Sequence, residues 1–474
     1  MYDVAVIGGG IVGAFCAREL VGYKLSVVVL EAADDVCAGA SRANSGIVHA
    51  GFDAEYGTLK AKFNIEGSNI MERVSDELGV KFKRIGALVT AQSGQEERIR
   101  HLYENGLKNG VKGLQMLDGD AARELEHNLS RNVVSALYAP SAGIICPYGM
   151  TIAAIGNAMD NGAALKCGFK VSSVDRTESG CALHSESGET ICARMAVNCA
   201  GYGAQRVAEL FGDRSFKIGA RKGEYILLDK SAGAFVSHTI FSVPTKAGKG
   251  VLVTPTVDGN LLVGPTSVEE AEHDVAVRRC GFEEIRSKSA RTVENIPFGQ
   301  TITSFAGVRA YCDRHDFIVE QSAVAKELYN VAGIESPGLT SAPAIGRYVA
   351  ERIAEALGAE QNLRFDPHRK SMSWFAELDR DGKNEVIKRD PAYGAIVCRC
   401  ENVTLGEILE ALRTEPRPHT LDGIKLRTRA GMGRCQGGFC QPSVFNILMK
   451  EYGYKAEEVT KNGGKSYIIT GGEL

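Results

Sequence analysis

The stretch MYDVAVIGGGIVGAFCARELVGYKLSVVVLE, residues 1–31, decides how the front of this chain folds. An apolar run from Tyr2 to Ile7 meets a glycine turn, residues from Gly13 to Leu20 have helical character, and the β-branched run Leu25 to Leu30 ends at Glu31. Length and periodicity read as strand, turn, helix and strand, one βαβ unit at the front of a parallel sheet. Gly8, Gly10 and Gly13 make the pattern G-x-G-x-x-G. The first glycine permits the tight turn, the second lets a pyrophosphate approach the backbone, and the third lets helix pack close to strand. The helix start offers unpaired N–H groups and a positive dipole end to phosphate. Glu31 closes the second strand, where an acid can accept hydrogen bonds from ribose hydroxyls. A glycine turn alone serves packing equally well; with strand, helix and terminal acid in register it predicts a dinucleotide site.

Two later stretches favour FAD over NAD. Gly39 to Gly51, GASRANSGIVHAG, is a small-residue loop that can pass beneath a pyrophosphate and a flavin edge, with Ser41, Asn44, Ser45 and Gly46 as its contacts. Gly333 to Gly346, GIESPGLTSAPAIG, gives a glycine turn feeding another helix start, with Gly333, Gly338, Leu339 and Thr340 facing the cofactor. That dipole can stabilise negative charge on a reduced flavin. A buried run, Met195 to Cys199, closes on Ala200 and Gly201, which join the same candidate site. The chain carries no second fingerprint for NAD, so NAD(H), if involved, belongs to another subunit.

The expected fold class is α/β: a Rossmann-like FAD-binding domain with an inserted antiparallel β-sheet substrate domain, plus a small, mainly α domain at the C-terminus that carries a cysteine cluster and that the resemblance given below implies is an iron–sulfur domain. Residues 1–80, 146–215 and 323–360 are assigned to the first. Residues 81–145 and 216–322, with alternating runs such as GEYILL, KGVLVTP and NLLVGP, are assigned to the second. Residues 361–392 are charged, carry Pro367 and Pro391, show little periodicity and read as a surface linker. A compact module spans 393–455, followed by a tail, 456–474. Within the module Thr404 and Glu407 form a capping pattern that places a helix start just after the first cysteine pair.

The chain has 474 residues, 44% hydrophobic and 24% charged, with net charge −3. This suits a soluble protein of two or three domains and speaks against nucleic-acid binding, which wants a basic patch. No window reaches the roughly 18 apolar residues of a membrane span. The N-terminus shows no signal-peptide pattern. The expected location is the cytoplasm, with peripheral attachment to a membrane left open.

Thirteen cysteines divide into two groups. Cys16, Cys37, Cys146, Cys167, Cys181, Cys192, Cys199, Cys280 and Cys312 are scattered and read as small buried hydrophobes. Cys398 and Cys400, then Cys435 and Cys440 in GRCQGGFCQP, form two close pairs that can supply four thiolates to a metal site. Flanking glycines let backbone N–H groups turn toward sulfur and tune a cluster. An iron–sulfur cluster, a structural zinc and thiol–disulfide chemistry all remain open on spacing, though C-x-C fits zinc less well.

The order of GGGIVG, NSGIVHAG, GTLKAKFNIEG, RKGEY, LVGPT, AGVRAYCDRHDFIVE and AGIESPGLTSAPAIG across residues 1–360 resembles the D-amino-acid-oxidase-type flavoproteins, in particular glycerol-3-phosphate and L-2-hydroxyglutarate dehydrogenases. Region 393–455 resembles the 2Fe-2S domain of the bacterioferritin-associated ferredoxin type, also fused to the large subunit of anaerobic glycerol-3-phosphate dehydrogenases. The free ferredoxins have two residues inside the second cysteine pair where this chain has four. The resemblance implies FAD, a 2Fe-2S cluster on the four cysteines, and a small anionic hydroxy substrate.

Oxidising an alcohol requires a hydride to leave carbon and a proton to leave oxygen. His49, in the flavin loop, is the candidate base. Arg309 resembles the family's substrate-facing arginine and suits an anion. Arg221, Lys222 and Glu224 resemble the strand lining the substrate pocket. A cluster carries single electrons, so the expected acceptor is a partner subunit (a second flavoprotein, NAD-linked or quinone-linked) in a hetero-oligomer, not oxygen. Oxidation of an amine or imino acid, and a non-catalytic electron-transfer subunit, are the rival readings.

Overall fold

In the computed structural model the strand Tyr2–Ile7 lies inside an eight-stranded sheet. Val27–Leu30 pairs with it on one side and Thr190–Asn198 on the other, both parallel, so that Val4 faces Val27 and Met195. Ala164–Lys166 and Leu328–Ala332 extend the parallel run at its two ends. The structure describes residues 1–243, 250–270, 274–370, 372 and 374–470. Apolar residues on every position of Val27–Leu30 follow from cover on both faces. Val4 and Val6 pack with Phe15 and Ile345, from helices Ile11–Leu20 and Gly338–Leu357. Ala5 and Ile7 point the other way, into a second core with Val207 and Phe211. The two helices touch closely: a Cβ on Gly346 would stand 2.6 Å from the Phe15 backbone.

The second sheet has nine strands. Its longest pair, Ile218–Leu228 and Thr301–Cys312, is antiparallel and sets Arg221 opposite Arg309. All its other pairings are antiparallel except one. Where the strand Ala87–Gln92 meets Thr239–Ser242 the two run parallel, with Leu88 opposite Ile240. GEYILL and NLLVGP fall in strands here; Lys249, which opens KGVLVTP, lies outside the described residues.

Two expectations are corrected. The segment 361–392 is not featureless: Asp379 caps a helix, Arg380–Arg389, by accepting from Gly382 N at 2.8 Å. None of that helix's residues is buried, so it leaves no apolar stripe for periodicity to detect. Cys167, Cys192 and Cys280 are exposed, and Cys146 is half-buried. Cys192 occupies an outward position in a strand whose first half alternates between solvent and core.

The cysteine module consists of a two-stranded hairpin, Ile396–Cys398 with Val403–Thr404, and helices Leu405–Arg413, Leu421–Thr428 and Gln441–Tyr452. The capping box is present: Thr404 Oγ1 accepts from Glu407 N, and Glu407 Oε2 accepts from Thr404 N at 2.7 Å. Ile408, Ile424 and Leu448 form its core. Among the described residues no helix is long and apolar enough to cross a membrane.

Candidate functional site

A cavity of about 890 Å³ opens where the two large sheets meet. This is within the range of cofactor sites, roughly 300–1,000 Å³. The glycine turn forms one end. Gly8 has φ +113°, and a Cβ there would lie 2.4 Å from Cys199 O. Gly13 does not line the cavity; it lets the helix close on the strand, since its Cβ would stand 2.0 Å from Gly8 O. Glu31 lines the wall and accepts from Gly9 N at 2.7 Å and Ala33 N at 2.8 Å. Burial raises its pKa, against the pull of those backbone donors.

The loop from Gly39 passes along the floor. Ser41 lines it and accepts from Ile11 N at 2.9 Å, tying the loop to the helix start. Asn44 and Ser45 also line it. Asn44 holds the loop's own turn as well, since its amide donates to Ala40 O and Ser41 O and accepts from Gly46 N at 2.8 Å. Gly46 faces away from this cavity. Its φ of +65° and a Cβ that would meet Ile145 O at 2.5 Å make it a turn residue. Gly10, Ala200, Gly201, Gly333, Gly338 and Leu339 all line the wall. Thr340 does not; it is fully buried and its Oγ1 accepts from His49 N at 3.0 Å. Gly13, Gly46 and Thr340 stand behind the wall and support it.

His49 and Arg309 line the same cavity. The His49 carbonyl accepts from Asn64 Nδ2 at 3.0 Å, its Nε2 lies 3.3 Å from Ser336 Oγ, and its ring centroid is 6.0 Å from that of Phe241. Arg309 Nη2 donates to Thr266 O at 2.9 Å, while its buried Nε has no hydrogen-bond partner among the described residues. Arg221, Lys222 and Glu224 are not in the wall. Lys222 is buried, with Glu270 and Asp274 each at 3.1 Å and Glu224 at 3.7 Å. The pleat explains Lys222 and Glu224, which leave on the face opposite Tyr225, a residue of the cavity wall, whereas Arg221 shares the Tyr225 face and is drawn aside by its partners. Arg221 reaches the site indirectly, 3.5 Å from Glu335, which also takes Lys60 at 2.9 Å. Ser336, Glu335, Thr266 and Phe241 were missed by sequence reasoning; Ser336 and Glu335 lie inside the quoted GIESPG and Thr266 inside LVGPT, where motif context alone marked no role.

In the cysteine module the four thiols stand as two couples. Cys400 Sγ and Cys435 Sγ are 3.6 Å apart. Cys440 lies against Cys398, and burial pushes its pKa up to about 12. Backbone N–H groups of Phe439, then Gly437 and Gly438, turn onto Cys435 and hold its thiol below the ordinary value, which favours thiolate. Among the described residues no three Cys, His, Asp or Glu converge on a point suited to one ion. Two couples are what a two-iron cluster needs, each metal taking two sulfurs. The module is joined to the rest through Arg429, which bonds Glu401, Tyr148, Asp258 and Asn260.

A βαβ glycine cradle beside an antiparallel sheet, with a thiolate-rich module attached, defines a flavin-dependent oxidoreductase with an iron–sulfur domain. The chain belongs to the FAD dependent oxidoreductase family, whose model matches residues 3–352. The BFD-like 2Fe-2S binding domain model matches residues 396–450. The chain is 43% identical to a glycerol 3-phosphate dehydrogenase of Caloramator mitchellensis, over 99% of this chain and 98% of that protein. It is 31% identical to a glycerol 3-phosphate oxidase of Mycoplasma genitalium, over 79% of this chain and 99% of that one. The dithionite-reduced L-alpha-glycerophosphate oxidase of Mycoplasma pneumoniae, with FAD bound, superposes with TM-score 0.74 at 26% identity, covering 78% of this chain and 98% of that one. The protein is an FAD-dependent dehydrogenase with a 2Fe-2S domain for electron transfer.

Proposed function

We propose that this chain oxidises glycerol 3-phosphate to the corresponding ketone phosphate and passes the electrons to a partner protein. The observation that carries the reading is Arg309. A guanidinium in the cavity wall, with only Nη2 bonded to protein among the described residues, leaves donors to meet an anion. A phosphate monoester suits those donors, and the full-length 43% identical relative is named for that substrate. The FAD held in this cavity would supply the hydride acceptor, and a cluster on the four cysteines would supply a one-electron outlet.

The chain's own residues bind and orient. His49 takes the proton from the substrate hydroxyl at Nε2, the nitrogen beside Ser336 Oγ. Thr340 and Asn64 fix the His49 backbone from either side, so the ring has a set reach. Ser41, Asn44, Ser45, Gly338 and Leu339 are proposed to hold the flavin, with Gly8, Gly10 and Glu31 at the nucleotide end. Cys398, Cys400, Cys435 and Cys440 are proposed as the cluster ligands.

Anaerobic addition of glycerol 3-phosphate to the loaded protein should bleach the flavin and then produce the paramagnetic signal of a reduced cluster. L-2-hydroxyglutarate, L-lactate, proline and sarcosine should not compete. Bleaching by the amines alone would overturn the reading.

A further inference from the structure

We propose that a second cavity, of about 490 Å³, is a binding site for a phosphate-bearing aromatic molecule whose phosphate lies between Arg42 and Lys425. The cavity shares Ala43, Asn44 and Ser45 with the wall of the first, and its far side is made by Met432 and Gln436 of the cysteine loop. It therefore lies behind the flavin loop and reaches the residue beside Cys435.

The charge distribution selects an anion. Arg42 and Lys425 are both half-buried, and among the described residues neither side chain makes a hydrogen bond or ion pair. Burial holds the Lys425 ammonium below its ordinary pKa, with Lys461 and Arg42 adding to that and Asp422 opposing it. Two like charges withdrawn together from water are unfavourable until an anion joins them. The neighbouring charges are already engaged: Asp422 binds Lys461 at 2.8 Å, and Asp258 binds Arg429 at 2.6 Å. Among the described residues of this wall, no carboxylate is left over to serve the two cations.

One part of the wall is apolar, although Asn260, Thr303 and Ser304 also line the cavity. Leu227, Leu262, Val277 and Phe305 line it, with Ile144 behind. Inorganic phosphate would satisfy the cations and leave that surface wet, whereas an aromatic body would cover it. A position between the flavin loop and the cluster loop favours a redox-active body over an inert one. The inference does not depend on which substrate the first cavity takes.

The test uses the full-length protein, anaerobic, loaded with FAD and cluster, titrated with riboflavin 5′-phosphate and read by fluorescence quenching. Saturable quenching is expected. Riboflavin, inorganic phosphate and hexyl phosphate should each bind at least about ten-fold more weakly, since each lacks either the charge or the ring. Lys425→Gln and Arg42→Gln should each weaken binding by about ten-fold or more. In the same samples glycerol 3-phosphate bleaching reports on the first cavity separately, and the paramagnetic signal reports an intact module. No saturable quenching in the wild type, equal binding of any of the three comparison molecules, or undiminished binding in both variants with the module signal intact would overturn the proposal.

Discussion

Arg429 Nη1 donates to Asp258 Oδ2 at 2.6 Å across the seam between the cysteine module and the nine-stranded sheet, and each side chain keeps a tenth of its surface in water. The same guanidinium donates from Nε to Glu401 at 2.8 Å, one residue after Cys400. Arg429 itself sits at φ +68°, at the end of helix Leu421–Thr428, so the backbone turn aims the side chain into the seam. Removing one member of a buried pair strands the other charge, at a cost of about 3–5 kcal/mol. Arg429→Ala should lower the unfolding temperature and slow reduction of the cluster, while glycerol 3-phosphate bleaches the flavin at the wild-type rate. Stopped-flow recording of both colours checks this; wild-type cluster reduction in the variant would limit Arg429 to a structural role.

The glycine turn makes a sharper prediction. A methyl on Gly13 would stand 2.0 Å from Gly8 O, and the nearest atoms it meets are backbone. The helix start must then move away from the strand, taking its phosphate-facing amides with it. Gly13→Ala should purify with less than about a tenth of the wild-type flavin per polypeptide, a loss of about 1.4 kcal/mol or more in binding. Yellow absorbance per chain is the measurement. The cysteine module, which contributes none of the atoms nearest to that methyl, should keep its signal.

Much of this fold was legible because it repeats a local rule. Val4–Ile7, Val27–Leu30 and Met195–Val197 are written in apolar runs that a doubly covered sheet explains. The helix Arg380–Arg389 was not legible, because it buries nothing and so carries no stripe. Site residues divide in the same way. Gly8, Ser41, His49 and Arg309 lie in stretches whose chemistry is local, and all four line the cavity. Lys222 looked equally charged and equally close, yet the pleat turns it into a buried ion cluster. Thr340 and Gly46 depend on contacts 291 residues away in sequence and on a crossing strand end, respectively, and no period reports those.

Stability against acid should carry the mark of Asp213. Burial pushes its carboxyl up, but hydrogen bonds from Ser322, Ser215 and Asn330 outweigh that and hold it below the ordinary value. Asn330 in turn accepts from Asn198, so the carboxylate anchors two adjacent strands of the parallel sheet. A depressed folded pKa means the contribution is full above the unfolded value, about 3.9, and is lost as pH falls through the folded one. Asp213→Asn should be less stable than wild type at neutral pH, and the gap in unfolding temperature should narrow below about pH 4. A gap that stays constant with pH would remove Asp213 from the account.

Arg309 is where substrate charge and fold meet. It lies opposite Arg221 in the strand register, yet only Arg309 enters the cavity, because Arg221 is drawn to Glu335 and stacks on Tyr311 with its guanidinium carbon 4.6 Å from the ring centroid. Glu335 thus keeps the second arginine out of the cavity. Arg309→Ala removes a charge-assisted contact worth about 1.5–3 kcal/mol, so kcat/KM for glycerol 3-phosphate should fall about 10- to 100-fold. Arg309→Lys keeps the charge but not the fork, and should recover only part of the loss. Guanidinium added to Arg309→Ala should restore activity in a saturable way if the missing group is an anion holder. Equal losses for a neutral alcohol and for the phosphate would show instead that Arg309 shapes the cavity, since only the charged substrate has a contact to lose.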